Sequence, residues 1–257
     1  MDAIAEVAVA RDWIAVIAER FSIEIDEHRQ TAFLAAIQSY ATTLGESMDS
    51  LLARADRRNL SCDEWARILH LATNHETRFF RYQPVVDLIK QLAAGNPCPR
   101  VLSVGCSSGE EPYSLATALL RAGHAKFSVH GTDVSEVCIE TAQKGEYPPH
   151  PEIGHDVAAP IANGKVRFHM WFRLYLTFEA HNIMSPRPID FPNPDIIVTQ
   201  NMLIYYKVQT RHEILAKLGA MLPRGGYLIT GPAEDAGWSS SSLERIQHPA
   251  ASLFRKV

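Results

Sequence analysis

Apolar residues in the first quarter of the chain recur at helical spacing. One stripe comprises Ile4, Val7, Ala8, Trp13, Ile14, Ile17 and Phe21, and a second lies within residues 32–40. Ser61 and Glu64 have the spacing of a capping box, which predicts a further helix over Cys62–Ala72. The pattern therefore predicts a small all-helical domain over residues 1–72.

From residue 84 onwards, short runs rich in β-branched residues alternate with helical stretches. The predicted strands are Val101–Val104, Phe127–Gly131, Leu174–Phe178, Asp195–Asn201 and Tyr227–Thr230, and the predicted helices include Pro84–Leu92, Tyr113–Arg121 and Gln209–Leu222. Residues 148–163 contain four prolines and are predicted to be irregular. Because strands that alternate with helices form parallel sheets covered on both faces, the sequence predicts an α/β domain over residues 73–257 with a parallel, doubly wound sheet.

Charge and cysteine pattern argue against several classes of protein. The formal net charge is −4 and the isoelectric point is about 6.3, whereas nucleic-acid binding needs a basic face. The sequence has neither an apolar run long enough to cross a bilayer nor a secretory signal, so we expect a cytoplasmic protein without direct membrane insertion. The 4 cysteines lack C-x-x-C spacing and the 11 histidines lack metal-ligand spacing, so we predict no metal site.

The first predicted strand leads into a turn bounded by Gly105 and Gly109 and then into a helix. Glycines allow positive φ and a close approach of the backbone to a ligand. Glu110 and Glu111 stand where a dinucleotide fold would hold a pyrophosphate, and their charge would repel an anion. The turn therefore indicates a ligand with positive charge and hydroxyl groups, of which S-adenosylmethionine is a common example.

Asp133 follows the second predicted strand, at the sheet edge where open α/β folds bind ligands. A carboxylate there can accept hydrogen bonds from both hydroxyls of a ribose. Asp133 can also serve as the N-cap of the helix predicted to begin near Glu136, and the two roles are compatible. The position favours the ligand role.

Residues 73–82 connect the helical region to the α/β region and are rich in polar and aromatic side chains. Phe79 and Phe80 are expected to pack at this junction. Thr77 and Arg81 lie four residues apart and share one face if the segment is helical. Arg81 would then present its planar guanidinium to a carboxylate; the alternative is a surface ion pair, which contributes little to stability.

Several motifs together resemble a known family. They are H-E-T-R-F-F-R at 75–81, S-S-G-E-E-P-Y-S at 107–114, G-T-D-V-S at 131–135, Asn182, Q-N-M-L-I-Y-Y at 200–206 and L-P-R-G-G-Y-L at 222–228. They resemble the chemotaxis receptor methyltransferases of the CheR type. The resemblance implies an α/β, Rossmann-like, S-adenosylmethionine-dependent methyltransferase domain preceded by a small all-helical domain. It also implies methylation of glutamate side chains on a methyl-accepting chemoreceptor, with S-adenosylhomocysteine as the product.

The resemblance assigns roles to individual residues. The cofactor-binding residues that it implies are His75, Thr77, Arg81, Gly105, Glu110, Asp133, Asn182, Ile183, Gln200 and Asn201. Arg81 and Tyr205 are implied to flank the methyl-transfer site as catalytic residues, Arg81 by orienting the acceptor carboxylate. The implied partner is the cytoplasmic helical region of a chemoreceptor, and we expect the enzyme to be a monomer.

Two alternatives remain open. The family usually has Asn where His75 stands and Arg where Gln200 stands, so the chain can instead be a non-catalytic signalling module that retains the fold and the cofactor. A nucleic-acid methyltransferase is the other alternative. Its Asn/Asp-Pro-Pro-aromatic motif is replaced here by Q-N-M-L at residues 200–203.

Some members of the resembling family insert a three-stranded antiparallel subdomain that captures a receptor peptide by strand addition. Pro148, Pro149, Pro151 and Pro160 disfavour sheet pairing in the corresponding interval, because proline lacks a backbone donor. Only residues 166–172 remain as an extra strand, which predicts a hairpin at most. We therefore expect the receptor to be engaged without a high-affinity peptide tether.

Overall fold

The computed structural model describes residues 3–249 and 251–257, with side chains from Asp12 onwards. Within these residues the α-helices are α1 (Ala3–Phe21), α2 (Glu27–Thr43), α3 (Met48–Asp56), α4 (Cys62–Ala72), α5 (Gln83–Ala93), α6 (Glu110–Arg121), α7 (Glu136–Lys144), α8 (Met170–Arg173) and α9 (Val208–Met221). The strands are β1 (Arg100–Val104), β2 (Ser128–Asp133), β3 (Glu146–Tyr147), β4 (Ala158–Pro160), β5 (Val166–Phe168), β6 (Leu176–Ala180), β7 (Ile196–Thr199), β8 (Tyr227–Thr230), β9 (Leu243–Ile246) and β10 (Ser252–Lys256).

The predicted helical stripes become the buried faces of α1 and α2. Trp13 and Ile17 are fully buried on α1, and Phe33 and Ile37 are buried on α2. The predicted positions Ile4, Val7 and Ala8 lie outside the described side chains. None of the described helices combines the length and the apolar character that a bilayer crossing requires.

The predicted capping box begins α4. The Ser61 hydroxyl oxygen accepts from the backbone N–H of Glu64 at 3.1 Å, and the Glu64 carboxylate accepts from the N–H of Ser61 at 2.7 Å. Arg54 contacts the same carboxylate at 2.5 Å and so connects α3 to this helix end. Two N–H groups that the first turn leaves unpaired are thereby satisfied, which explains why the sequence located this boundary correctly.

The large sheet has seven strands in the order β6-β2-β1-β7-β8-β10-β9. The first five are parallel, as predicted for a doubly wound fold. The prediction of an all-parallel sheet is wrong at one edge, where β10 pairs antiparallel with β8 and β9 antiparallel with β10. The last two strands were not predicted, because β9 (L-E-R-I) has an exposed, charged centre and lacks the continuous apolar run of a buried parallel strand.

Helices cover both faces of this sheet. On one face, Ile89 of α5 and Leu119 of α6 belong to a buried apolar cluster that includes Val101 of β1. On the other face, Leu218 of α9 shares a cluster with Leu102 of β1. Buried residues of α1–α4 belong to this second cluster, so the helical region and the sheet share a continuous core. The division into domains 1–72 and 73–257 therefore stays a prediction.

A second, small sheet lies in the interval that was predicted to be irregular. It has three antiparallel strands in the order β3-β5-β4, and α8 begins two residues after β5. The prediction of a hairpin at most is wrong, because Pro160 ends an edge strand, where its missing N–H is tolerated. The predicted strand over residues 166–172 is limited to β5. The small sheet that was expected to be missing is therefore present, so its absence no longer supports receptor engagement without a peptide tether.

Candidate active site

A cavity opens at the carboxyl edge of the large sheet, where β1, β2 and β7 end. This is the edge at which open α/β sheets bind ligands. The predicted site residues that line it are His75, Thr77, Arg81, Gly105, Asp133, Ile183, Gln200, Asn201 and Tyr205. Glu110 and Asn182 are absent from the described lining, so their contact with a cofactor stays a prediction.

The turn after β1 requires both of its glycines. Gly105 has φ +77° and Gly109 has φ +98°, a region that side chains rarely adopt. A Cβ on Gly105 would lie 2.7 Å from the side chain of Met202, and one on Gly109 would lie 2.7 Å from the Cβ of Ala142. The backbone of the turn therefore packs closely between the loop that follows β7 and helix α7.

The Asp133 carboxylate is fixed by backbone donors at the end of β2. One oxygen accepts from the N–H of Ser107 at 2.8 Å, and the other accepts from the N–H of Ser135 at 2.9 Å. Burial raises the pKa of Asp133 above its ordinary value, although these two bonds partly oppose the rise. The N-cap of α7 is Ser135, whose hydroxyl accepts from the N–H of Cys138, so the N-cap role considered for Asp133 is wrong.

Glu111 is a cavity residue that the sequence analysis did not assign to the site. Its carboxylate accepts from the hydroxyl of Ser103 at 2.7 Å. Burial raises the pKa of Glu111 to about 7; the hydrogen bond from Ser103 lowers it, the charge of Glu234 raises it and the charge of Arg81 lowers it, each by a smaller amount. Its neighbour Glu110 instead accepts from the hydroxyl of Ser108 at 2.7 Å, which turns it away from the cavity lining. The acidic pair in the sequence thus divides into two environments.

These residues fit the expected cofactor. S-Adenosylmethionine carries a ribose with two adjacent hydroxyls and two cationic groups. Asp133 keeps acceptor capacity on both oxygens after its two backbone bonds, as two vicinal hydroxyls require. The glycine turn would be filled by any larger side chain, and the carboxylates around it suit a cation better than a phosphate.

Segment 73–82 is not the helix that the spacing of Thr77 and Arg81 suggested. Residues 79–82 form a turn in which Phe80 has φ +51°. The N–H of Phe80 donates to the hydroxyl oxygen of Ser114 at 2.9 Å, and this hydrogen bond connects the turn to α6. Thr77 and Arg81 nevertheless both line the cavity. Arg81 is exposed and donates from Nη1 to the carbonyl of Glu76 at 2.7 Å. Phe79 packs against Tyr147 as expected at the junction.

Tyr205 ends a short 3-10 helix, Leu203–Tyr205, in the loop after β7. Its carbonyl accepts from the N–H of Glu24 at 2.8 Å, which attaches this loop to the helical region. The guanidinium of Arg29, on α2, lies 5.7 Å from the centre of the Tyr205 ring. The buried Glu234 carboxylate accepts from the N–H of Leu203 at 2.8 Å and so fixes the first residue of the 3-10 helix. The sequence analysis missed Arg29 and Glu234, because neither belongs to a motif near Tyr205 in the chain.

The remaining predicted residues have local roles as well. Asn201 has φ +57°, so the backbone changes direction between the end of β7 and the 3-10 helix Leu203–Tyr205. Asn182 accepts from the N–H of Met184 at 2.8 Å through its side chain and closes a turn after β6. Ile183, in that turn, is buried and lines the cavity.

Three residues with metal-ligand chemistry meet beside the cavity, although no sequence spacing indicated it. His70 Nδ1, His75 Nδ1 and Cys138 Sγ are contributed by α4, segment 73–82 and α7. Burial lowers the pKa of His70 to about 4 and raises that of the Cys138 thiol to about 11. The fold thus brings together residues that lie 63 and 68 positions apart in the chain.

Comparison with known proteins gives a consistent result. Residues 74–250 match the family model described as CheR methyltransferase, SAM binding domain. The chain is 31% identical over 217 residues to the Probable biofilm formation methyltransferase WspC of Pseudomonas aeruginosa. This alignment covers 78% of the chain and 51% of the relative. It is 23% identical over 255 residues to Chemotaxis protein methyltransferase 1 of Vibrio cholerae, covering 92% of each. The chain spans about half the length of the WspC relatives, 51% in Pseudomonas aeruginosa and 46% in Pseudomonas putida.

Proposed function

Because the chain belongs to the CheR methyltransferase family, whose domain binds S-adenosylmethionine, we propose that it methylates glutamate side chains of a methyl-accepting receptor. S-Adenosylmethionine is the cofactor, and S-adenosylhomocysteine is the product that follows. The proposed acceptor is the cytoplasmic helical region of the receptor. The relatives are named for two different processes, chemotaxis and biofilm formation. The proposal therefore names a methyl-accepting receptor as the substrate and does not name the process that the receptor controls.

The observation that carries the proposal is the division of charge within one cavity. Glu111 of α6 and Asp133 at the end of β2 supply carboxylates, and Arg78 and Arg81 of segment 73–82 supply guanidinium groups. Carboxylates favour a cationic methyl donor, and guanidinium groups favour an anionic acceptor. A glutamate side chain is the anionic acceptor that the family resemblance implies.

The chemistry asks for positioning more than for acid–base catalysis. When bound, S-adenosylmethionine supplies a methyl group activated by a positive sulfur. A glutamate acceptor is already ionised near neutral pH, with a reference pKa of about 4.3, so no general base has to remove a proton. The task of the protein is to hold the acceptor oxygen in the right place and to exclude competing water.

We assign the orienting role to Arg81 and Tyr205. Arg81 uses Nη1 for the carbonyl of Glu76, and its other N–H groups remain available for a carboxylate. The Tyr205 hydroxyl can donate to the second acceptor oxygen, which would fix the plane of the carboxylate. Contacts of Thr77, Gln200 and Asn201 with the cofactor are part of the same proposal.

A methyl-transfer assay tests this function. The full chain is incubated with S-adenosylmethionine labelled in its methyl group and with cytoplasmic fragments of methyl-accepting receptors from the same organism. We expect label on glutamates as an ester that alkali releases as methanol, and no label on fragments in which those glutamates are replaced by Gln. Calorimetric binding of S-adenosylhomocysteine without label transfer to any receptor fragment would favour the non-catalytic module instead.

A further inference from the structure

We propose that His70, His75 and Cys138 form a binding site for a transition-metal ion of the zinc class, beside the cofactor cavity. Their three ligand atoms lie within 4.8 Å of one another. The donors are two imidazoles and one thiol, a set that suits Zn²⁺ and similar ions and does not suit Mg²⁺ or Ca²⁺, which prefer oxygen. The proposal is independent of which substrate the protein methylates.

The distances match the demands of a tetrahedral ion. With Zn–S of about 2.3 Å and Zn–N of about 2.0–2.1 Å, a tetrahedral site separates sulfur from nitrogen by roughly 3.6 Å. Cys138 Sγ lies 3.1 Å from His75 Nδ1 and 3.9 Å from His70 Nδ1. Both sulfur–nitrogen distances lie within roughly half an ångström of the ideal separation, and the three ligand atoms need only side-chain rotation to converge on one ion.

The tautomer of His75 is set by its other ring nitrogen. His75 Nε2 lies 2.7 Å from the carbonyl of His70, which can only accept, so Nε2 carries the proton. The Thr73 hydroxyl donates to the carbonyl of Leu69 at 2.8 Å and therefore also accepts from His75 Nε2, at 3.0 Å. His75 Nδ1 consequently keeps its lone pair and directs it towards Cys138 Sγ. A backbone carbonyl on the far nitrogen is the usual partner of a metal-binding histidine.

His70 is prepared in a similar way. Its Nδ1 lies 2.9 Å from the Ser135 hydroxyl. The oxygen of that hydroxyl also accepts from the N–H of Cys138. When the Ser135 hydroxyl donates to His70 Nδ1, this nitrogen is an acceptor, and a bound ion would take the place of that serine proton. The two imidazole rings stack at 4.2 Å with an interplanar angle of 12°, and the Nδ1 atoms of His75 and His70 lie 3.1 Å and 3.9 Å from Cys138 Sγ. Because an imidazole binds a metal in its ring plane, one ring must rotate out of the stack before both nitrogens can reach the same ion.

Coordination would have two consequences. The thiol would bind as thiolate and release its proton to solvent, and the ion would connect α4, segment 73–82 and α7. His75 also lines the cavity, and Ser107 connects it to Asp133, because the Ser107 hydroxyl donates to the His75 carbonyl at 3.2 Å and the Ser107 N–H donates to the Asp133 carboxylate at 2.8 Å. A bound dication would therefore add positive charge where a cationic cofactor approaches. We infer that the ion weakens the binding of S-adenosylmethionine, and by linkage that the cofactor weakens the binding of the ion.

Cobalt spectroscopy tests the site directly. The metal-free full chain, without a histidine tag, is titrated with Co²⁺. We expect one equivalent to produce a thiolate-to-cobalt charge-transfer band and the strong visible bands of tetrahedral Co²⁺, and Zn²⁺ to remove both. Cys138→Ser should abolish the charge-transfer band, and His70→Gln should weaken binding at least tenfold. The matched control is the double variant Cys62→Ser/Cys98→Ser, which removes two exposed thiols and should bind as the wild type does.

Several results would overturn the site. The charge-transfer band would persist in Cys138→Ser or disappear in the Cys62/Cys98 control if the exposed thiols were the ligands. Circular dichroism shows whether each variant is folded. If Cys138→Ser is unfolded, X-ray absorption of the zinc-loaded wild type tests the site instead. One sulfur and two imidazole nitrogens are then expected around the zinc, and a coordination shell without sulfur contradicts the proposal. Calorimetry should show weaker binding of S-adenosylmethionine to the zinc-loaded chain, with a smaller change for the less charged S-adenosylhomocysteine. Equal affinities with and without zinc would refute the coupling.

Discussion

The two sides of the cavity differ in charge and in the way that their side chains are held. On the cofactor side, Asp133 accepts two backbone N–H bonds and Glu111 accepts from Ser103. On the acceptor side, which comprises segment 73–82 and Tyr205, Arg81 makes one hydrogen bond, to a carbonyl. The carboxylates are thus fixed in advance, whereas the Arg81 guanidinium retains free donors for an anion.

This difference explains how one cavity can admit a cationic donor and an anionic acceptor. The carboxylates attract the cationic donor and the guanidinium groups attract the anionic acceptor. Burial raises the pKa of Glu111 and the charge of nearby Arg81 partly opposes that rise, so the two reactants are drawn to adjacent positions. It follows that changes on the two sides should separate in kinetics. Acceptor-side variants should lower turnover at unchanged cofactor affinity, and cofactor-side variants should lower cofactor affinity.

The largest expected effect is that of Arg81→Lys. Lysine keeps the charge but loses the planar pair of donors that orients a carboxylate, so we expect turnover to fall by about 100-fold. Affinity for S-adenosylhomocysteine in calorimetry should change by less than about threefold, because the substitution retains the positive charge.

The matched control for this substitution is Arg224→Lys, an exposed arginine in the turn that precedes β8 at the opposite edge of the sheet. It should methylate as fast as the wild type. If Arg81→Lys retains wild-type turnover, arginine does not orient the acceptor and the comparison between the two sides fails.

The next effect concerns Asp133→Ala. The variant removes a carboxylate that is held ready for two hydroxyls, and hydrogen bonds to a charged group contribute about 1.5–3 kcal/mol. We expect S-adenosylmethionine and S-adenosylhomocysteine to bind more than tenfold more weakly, and by the same factor, since both carry the ribose. Asp190→Ala, at an exposed aspartate, is the control. Unchanged calorimetric affinity in Asp133→Ala would remove this residue from the site.

The cofactor side was largely predictable from the sequence, and the reason is local. Gly105, Gly109 and Asp133 lie in one strand–turn–helix–strand unit, where the backbone itself requires the residue type. Positive φ favours glycine, and at Gly105 and Gly109 a Cβ would also lie 2.7 Å from a neighbouring side chain. A strand end places the carboxylate of Asp133 at the sheet edge. The capping box at Ser61 was predictable on the same grounds, because both its bonds lie within one helical turn.

The acceptor side was less predictable, because it depends on packing between distant segments. Arg29 reaches Tyr205 only through the contact of α2 with the loop after β7. Thr77 and Arg81 were expected to share a helix face, yet a positive φ at Phe80 replaces the helix with a turn. His70 and Cys138 meet across 68 positions of the chain. Spacing in the sequence carries no signal for any of these contacts.

Glu111 provides a pH-dependent effect of intermediate size. Its pKa is raised to about 7 in the folded protein, from an ordinary value of 4.5. The folded state therefore binds a proton more tightly than the unfolded state, so this group makes the protein less stable as pH rises from about 4.5 to about 7. Gln keeps an acceptor for Ser103 without the charge. We expect Glu111→Gln to raise the free energy of unfolding by about 1–2 kcal/mol at pH 8 and by much less at pH 5.

Denaturant unfolding at the two pH values measures this difference. Glu140→Gln, at an exposed glutamate of α7, serves as the control and should change stability little at either pH. The same Glu111→Gln variant should also bind S-adenosylmethionine more weakly at pH 8, because it removes a negative charge from the cofactor side. A stability gain that is equal at pH 5 and pH 8 would show that the carboxyl titrates normally.

The smallest expected effect is that of Arg29→Gln. The guanidinium lies 5.7 Å from the centre of the Tyr205 ring, so its charge can stabilise, without direct contact, an anion that approaches Tyr205. Its half-exposed position limits this contribution to about 0.5–1 kcal/mol, or roughly two- to fivefold in kcat/KM. We expect the loss to appear for the receptor fragment and not in the affinity for S-adenosylhomocysteine.

Arg20→Gln is the matched control for this last change, because Arg20 also lies over an aromatic ring, that of Trp65 at 4.2 Å, but within the helical region. If stacking alone matters, both variants lose stability and neither changes methylation specifically. If charge at the acceptor matters, Arg29→Gln alone lowers kcat/KM, and the loss shrinks at high ionic strength, since screening weakens the interaction in the wild type. Equal kinetics of the wild type and Arg29→Gln at low salt would confine the acceptor side to segment 73–82 and Tyr205.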